Sequence, residues 1–316
     1  MKWSHLPHRL RAGRQALAAA GVLTLLTAGA GILVPPVAEA STGTTYYVST
    51  SGSDSNAGTS TASAWRSLAK VDATTFQPGD RILFQSGDSW KGLLWPKGSG
   101  VSGSPITIGR YGSGAKPSFA GAGTVSSTVK LWNQQYWTVS DIDVSNNAPS
   151  AGTAGANLGD FRGIHIGGDN SRTLSGFVID RVDVHDVTGV DNWVGGHTSN
   201  NNTTNQIVQY NYLHNNNVGI LAFQIKFGGN SIWRYNVIAN NSKEALQLGS
   251  VSSSTAQIYN NTIYNTASTQ AWLMTPSHYT FTNNIFYTTV ANPTMATGTA
   301  IVYNNNLYGG NSPSLG

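Results

Sequence analysis

Gln206–Asn217 reads QIVQYNYLHNNN, and its frame returns four times. Ser231–Asn241 gives SIWRYNVIANN, Ala256–Asn265 gives AQIYNNTIYN, Tyr279–Thr288 gives YTFTNNIFYT and Ala300–Gly309 gives AIVYNNNLYG. Each copy sets an apolar residue, two others, an Asn, one other and a second apolar residue. The Asn positions read Asn211, Asn236, Asn261, Asn284 and Asn305, at steps of 25, 25, 23 and 21 residues. A period of this size marks a repeat architecture. Val139–Val144 (VSDIDV) and Ile179–Val184 (IDRVDV) fit the same frame, with Ile142 and Val182 at the Asn position.

The spacing inside the unit fixes its shape. Residues two apart share one face of a strand, as Asn211 and Leu213 do. A spacing of three, as from Val208 to Asn211, requires a bend. Each unit therefore reads as strand, one-residue corner, strand, with the Asn turned inward. A buried Asn amide must find partners. Asn residues stacked at the ~4.8 Å inter-strand distance find them in one another. Gly219–Phe223, Glu244–Leu248 and Gln270–Met274 supply a further strand between units. The expected fold is all-β, a parallel β-helix solenoid carrying an asparagine ladder. Sandwiches and barrels have short strands too, but do not require an in-phase buried Asn.

Residues 1–40 read as a secretory signal peptide: Lys2, Arg9, Arg11 and Arg14, an apolar stretch Ala16–Val34, then Ala38-Glu39-Ala40 before Ser41. The formal charge of +4 loses four basic residues and one acidic residue with that segment, leaving +1. No basic nucleic-acid surface is implied. No other stretch is apolar enough to span a bilayer, and the chain has no Cys. The protein is expected to be secreted and extracellular, as one domain over 41–316 and a monomer. Charged residues make up only 10% of the chain, so Asn, Thr, Ser and Gly carry its polarity, which suits long polar turns and contact with sugars. Residues 44–122 form the N-terminal region of the solenoid. There Ala64–Val71 (AWRSLAKV), apolar at Trp65, Leu68 and Val71, is the expected capping helix.

The runs TTYYVSTSGSDSNAGTSTASAWRSLAKV, QPGDRILFQSGDSW and GSPITIGRYGSGAKPSFAG resemble the N-terminal region of secreted right-handed parallel β-helix proteins of the pectate-lyase-like superfamily. The coils over 136–310 resemble their parallel β-helix repeats. The resemblance implies the right-handed fold. It implies a polysaccharide partner less specifically, since such proteins include lyases, hydrolases and members without known activity. Against that pattern, the chain is expected to lack central coils around His197–Asn202.

Three constellations are candidates for chemistry. Asp143 and Asp183 occupy equivalent outward positions on neighbouring coils, with Asp186 and Asp191 following. Stacked carboxylates favour a shared proton or a cation, and the resemblance implies Ca²⁺ held against an acidic sugar. Lys226, on an apolar-flanked strand, is a candidate base with Arg234 as a carboxylate clamp. The resemblance implies proton abstraction next to a uronate carboxylate. His185 and His214 share a frame position on consecutive units and join Tyr210, Tyr212 and Tyr235 as sugar-contacting candidates; Trp233 reads as core. The leading expectation is a Ca²⁺-assisted lyase acting on an acidic polysaccharide. A non-catalytic binding solenoid and a hydrolase using paired Asp residues stand beside it.

Overall fold

The structure, a computed structural model, describes residues 43–147, 161–188, 195–200, 203–223, 230–249, 255–266, 269–273, 278–297 and 301–312. Residues 1–40, the expected signal segment, lie outside them. Among the described residues, three large parallel sheets wrap one core. Sheet I has ten strands, from Thr45–Val48 to Ile301–Asn304. Sheet II has nine, from Ser89–Lys91 to Leu307–Gly310, and sheet III has six, from Ser127–Trp132 to Thr269–Leu273. The chain visits the sheets in turn. Trp137–Ser140 in sheet I leads to Asp143–Asn147 in sheet II and Arg162–Gly167 in sheet III. Leu174–Asp180 then pairs back on Trp137–Ser140 and opens the next coil. This is the expected parallel β-helix, with three strands per coil.

The corner between sheets I and II explains the motif. The residue before each ladder position has positive φ: Asp141, Arg181, Tyr210, Tyr235, Asn260 and Asn283 lie between 53° and 57°. One left-handed residue turns the chain and costs ~1–2 kcal/mol when it is not Gly. The next residue offsets that cost. Asn211 Nδ2 donates to Asn236 Oδ1 (3.0 Å), Asn236 Nδ2 to Asn261 Oδ1 (2.9 Å) and Asn261 Nδ2 to Asn284 Oδ1 (3.0 Å). Each Oδ1 also accepts the backbone N–H of the preceding ladder residue. Ile142 and Val182 fill the same position in earlier coils as fully buried apolar side chains.

The last rung differs from the expectation by one residue. Asn306, not Asn305, accepts from Asn284 N and Nδ2, both at 2.9 Å. Asn305 is the left-handed corner residue, φ 52°. The run Asn304-Asn305-Asn306 left the register open, and packing closed it. The true frame turns Tyr303 and Tyr308 onto the core and exposes Val302 and Leu307, at 47% and 63%. A one-residue slip exchanges the two faces of a strand.

A second corner, five residues on, repeats the device. Asp186, Asn215, Asn240 and Asn265 have φ of 42–56°. Behind them stand Val187, Asn216, Asn241 and Thr266, all fully buried or nearly so. Val187 N donates to Asn216 Oδ1 (2.9 Å), and Asn216 N donates to Asn241 Oδ1 (3.1 Å). This second, shorter ladder was not read from the sequence, although Asn216 and Asn241 keep the 25-residue step.

The core is built from in-register rows. One runs Val139, Ile179, Val208, Trp233, Ile258, Phe281, Tyr303 along sheet I. Burying each such side chain is worth ~1.5–3 kcal/mol. Over the first coil the helix is shorter than expected, Leu68–Asp72. Asp54 takes the backbone N–H of Arg66 and Ser67, and Trp65 is drawn into a bridge with Val48. Ser67 then caps the helix by accepting from Lys70 N. Trp65 still closes the core, stacked on Tyr46.

Val190–Asn205 shows no pattern in sequence, yet it contains the strand Gly195–Asn200 of sheet III. That strand pairs Arg162–Gly167 on one side and Val218–Phe223 on the other. Sheet III thus keeps a strand paired on both sides within the segment around His197–Asn202, where coils were expected to be missing. His197 falls in the row between Ile164 and Ile220. Burial brings its pKa down to about 4, with Gln206 opposing, so it is neutral core.

Candidate functional site

The outer face of sheet II carries the acidic cluster. Asp143 pairs with Asp183 and Asp183 with Tyr212; Ser145, His185 and His214 form the parallel row. The carboxylates do not face one another bare. Asp143 Oδ2 contacts His185 Nε2 at 3.1 Å, and Asp186 Oδ2 contacts His185 Nδ1 at 2.8 Å. Asp183 Oδ1 contacts His214 Nε2 at 3.1 Å, and the two imidazoles stack 5.3 Å apart. The Asp143 hydrogen bond, opposed by burial and aided by Asp186, raises the His185 pKa to about 9. Burial alone would raise Asp143, but hydrogen bonds from His185 and Ser118 outweigh it and hold its carboxyl below the usual range. Each described carboxylate of this group thus has a His partner. Among the described residues no group of three or more His, Cys, Asp or Glu is placed to hold a metal ion. Calcium needs six to eight hard oxygens, and one oxygen of each of Asp143, Asp183 and Asp186 is bonded to an imidazole. Among the described residues these donors are too few for calcium. Asp191 lies outside the described residues.

Sheet I carries Arg234. Its Nε donates to Gln209 Oε1 (2.8 Å) and an Nη to the Tyr259 hydroxyl (2.9 Å), in one outward row. Lys226 lies outside the described residues. Tyr210 and Tyr235 sit at corners and stack on each other, 4.9 Å apart and 5° from parallel. Tyr212 stacks on His214 at 4.0 Å. Each of these rings spends a face on its neighbour, which leaves edges, hydroxyls and outer faces for a sugar. Trp233 is core, 2% exposed.

Sheet III gathers groups outside the three candidate constellations. Glu244 opens the strand Glu244–Gly249, half-buried, in the row Ser127, Arg162, Gly195, Val218, Glu244. Burial raises its carboxyl to about 7, with Lys243 opposing. Its Oε2 is buried without a hydrogen-bond partner, as is Gln247 Oε1 on the same strand. At the opposite edge of the sheet, Trp95, Lys97, Lys130 and Trp132 converge, with His165 5.3 Å from the Trp132 ring. The signal available was composition. Glu244 is the only Glu after residue 39, and W-P-K at 95–97 and K-L-W at 130–132 each place Lys and Trp two apart.

No family model matches the chain. In structure it is similar to the GH136 lacto-N-biosidase from Eubacterium ramulus, with a TM-score of 0.61 and 18% identity. That match covers 84% of this chain and 55% of the other. Pectate lyase Pel9A gives a TM-score of 0.55 and 15% identity, over 86% of this chain and 77% of that one. The fold is that of the pectate-lyase-like β-helices. In sequence, this β-helix is 30% identical to a lacto-N-biosidase of Bifidobacterium longum subsp. longum over 239 residues. The match takes in 57% of the chain and only 15% of that curated relative.

Proposed function

We propose that this β-helix cleaves a glycan lying across sheet III, with Glu244 as the proton donor. The observation that carries the reading is the Glu244 carboxyl, raised to about 7 by burial and holding an oxygen with no partner. A carboxyl of that kind is about half protonated at neutral pH and can give its proton to a glycosidic oxygen as the bond breaks. Both similar proteins named as lacto-N-biosidases support a glycan as the partner. Asp143 and Asp183, the pair expected for hydrolysis, serve less well, because each is bonded to a histidine. Hydrolysis also needs a second carboxylate, ~5–5.5 Å away for retention or ~6.5–9.5 Å for inversion. Asp160 and Asp191 are the sequence candidates, since they shortly precede the sheet III strands that begin at Arg162 and Gly195. The signal segment and the glycan partner together favour action outside the cell.

The test is cleavage of a panel of reducing-end-labelled neutral and acidic oligosaccharides by the wild type and by Glu244→Gln. The wild type should release new reducing ends, with activity falling as pH rises through about 7 and Glu244 loses its proton. The variant should lose ~10²–10⁴-fold in kcat with little change in KM. Cleavage by E244Q at the wild-type rate, or glycan binding without any cleavage, refutes the assignment. A product absorbing in the ultraviolet would instead establish elimination and return attention to Lys226.

A further inference from the structure

Two short sequences far apart in the chain, Trp95-Pro96-Lys97 and Lys130-Leu131-Trp132, meet at the N-terminal edge of sheet III. Leu94 brings the first into place. Its N–H donates to Thr128 O (2.8 Å), and its carbonyl accepts Lys130 N (2.9 Å), beside the bridge to Val129. Asp72 fixes the next residue by accepting Trp95 N at 2.7 Å. Both ammonium groups then lie over the same indole, with Lys97 Nζ 3.2 Å and Lys130 Nζ 4.6 Å from the Trp95 ring centroid. Lys130 Nζ is also 5.1 Å from the Trp132 ring.

One lysine would suffice as a packing partner for the ring. Two bring like charges together, and both are half-buried. Neither forms an ion pair with a carboxylate among the described residues. Burial, Arg162 and Lys97 together make the Lys130 ammonium harder to keep charged. Burial does the same to Lys97, with only Asp72 in opposition. An anion placed between the two ammonium groups would relieve both.

We infer that Trp95, Lys97, Lys130 and Trp132 form a subsite for an anionic sugar, whose carboxylate or sulfate ester bridges the two lysines while the pyranose lies against Trp132. The inference rests on the glycan reading above and adds the charge class of the substrate. Four inter-strand steps separate the Lys130 strand from the Glu244 strand. At ~4.8 Å each that is about 19 Å, the length of a short oligosaccharide. The anionic residue therefore sits several sugars away from the bond broken at Glu244. The subsite selects and orients the chain without touching the reacting atoms.

The experiment measures binding of matched glycan pairs to the full chain. The pairs are oligogalacturonides against their carboxyl-reduced forms, chondroitin sulfate oligosaccharides against their desulfated forms, and sialylated against asialo milk oligosaccharides. Lys97→Met and Lys130→Met, singly and together, remove the charge and keep the stem; thermal melts confirm that each variant folds. The wild type should bind one anionic form about tenfold or more tighter than its neutral partner. That preference should shrink with added salt. The double variant should bind both forms alike. The pair that shows the preference separates carboxylate from sulfate. Equal binding of both forms by the wild type, or a preference that survives in the double variant, overturns the subsite and leaves the glycan reading standing. Absence of binding to every glycan overturns the glycan reading, and the subsite with it.

Discussion

Replacing Asn236 by Leu removes the centre of the ladder. The Asn236 Oδ1 accepts from Asn211 N (3.1 Å) and Asn211 Nδ2 (3.0 Å), and its Nδ2 donates to Val208 O and Asn261 Oδ1, both at 2.9 Å. After the change, the Asn211 backbone N–H has no partner inside a fully buried corner. Asn211 Nδ2 keeps Ile179 O (3.0 Å), and Asn261 Oδ1 keeps the residue 236 N–H (3.0 Å), so each is only half-deprived. Val208 O loses its Asn236 Nδ2 donor as well. One orphaned buried group costs ~1–3 kcal/mol, and the three other deprived groups add to it. Leu is bulkier than Asn, so it brings overpacking in a closed coil along with its apolar gain. The expected loss is about 2–4 kcal/mol. Urea unfolding should be followed by Trp fluorescence and far-ultraviolet circular dichroism together, because stacked coils can unravel separately. Asn261→Leu, whose side chain makes the equivalent bonds to Trp233 O and Asn284 Oδ1, should behave alike. Stability within about 0.5 kcal/mol of wild type for both variants, below the cost of a single orphaned group, would refute the inward ladder.

Two further outcomes follow from the same geometry. Asn306→Leu should cost only ~1 kcal/mol, because its bonds to Asn284 are part-buried and water can replace them. Asn305→Gly should be neutral or slightly stabilising, since it relieves a φ of 52°; the reverse order in paired urea melts would restore Asn305 as the rung. At sheet II, the His185 pKa is raised from 6.5 to about 9, so its ion pairs stabilise the fold fully below pH 6.5 and are lost as pH rises through about 9. Asp143→Asn should bring the His185 titration, followed by NMR, down by about one pH unit or more and flatten that alkaline decline. An unchanged titration would mean that Asp143 is not its principal partner.

The repeat was legible because coil geometry is written locally. Spacings of two and three dictate strand and corner, and the ladder Asn recurs wherever the corner needs a buried amide. The second ladder obeyed the same logic but was masked by the Asn-rich run Asn215–Asn217, in which Asn216 carries the ladder and Asn217 accepts from Ser242 Oγ of the next coil. In the same way, nothing local distinguishes Asn305 from Asn306.

The sequence by itself determined the solenoid, the inward rows and the neighbouring placement of Asp143 with Asp183 and of His185 with His214. Each of these depends on phase within a period. Tertiary structure decided what those residues do. Stacking set the histidines against the carboxylates, turned Tyr210 and Tyr235 onto each other, and buried Glu244 far enough to keep its proton near neutral pH. It also brought Lys97 and Lys130 over one indole. Charge state and convergence depend on which coil lies above which, and on how much water is left between them. A residue's own neighbours in sequence carry neither quantity.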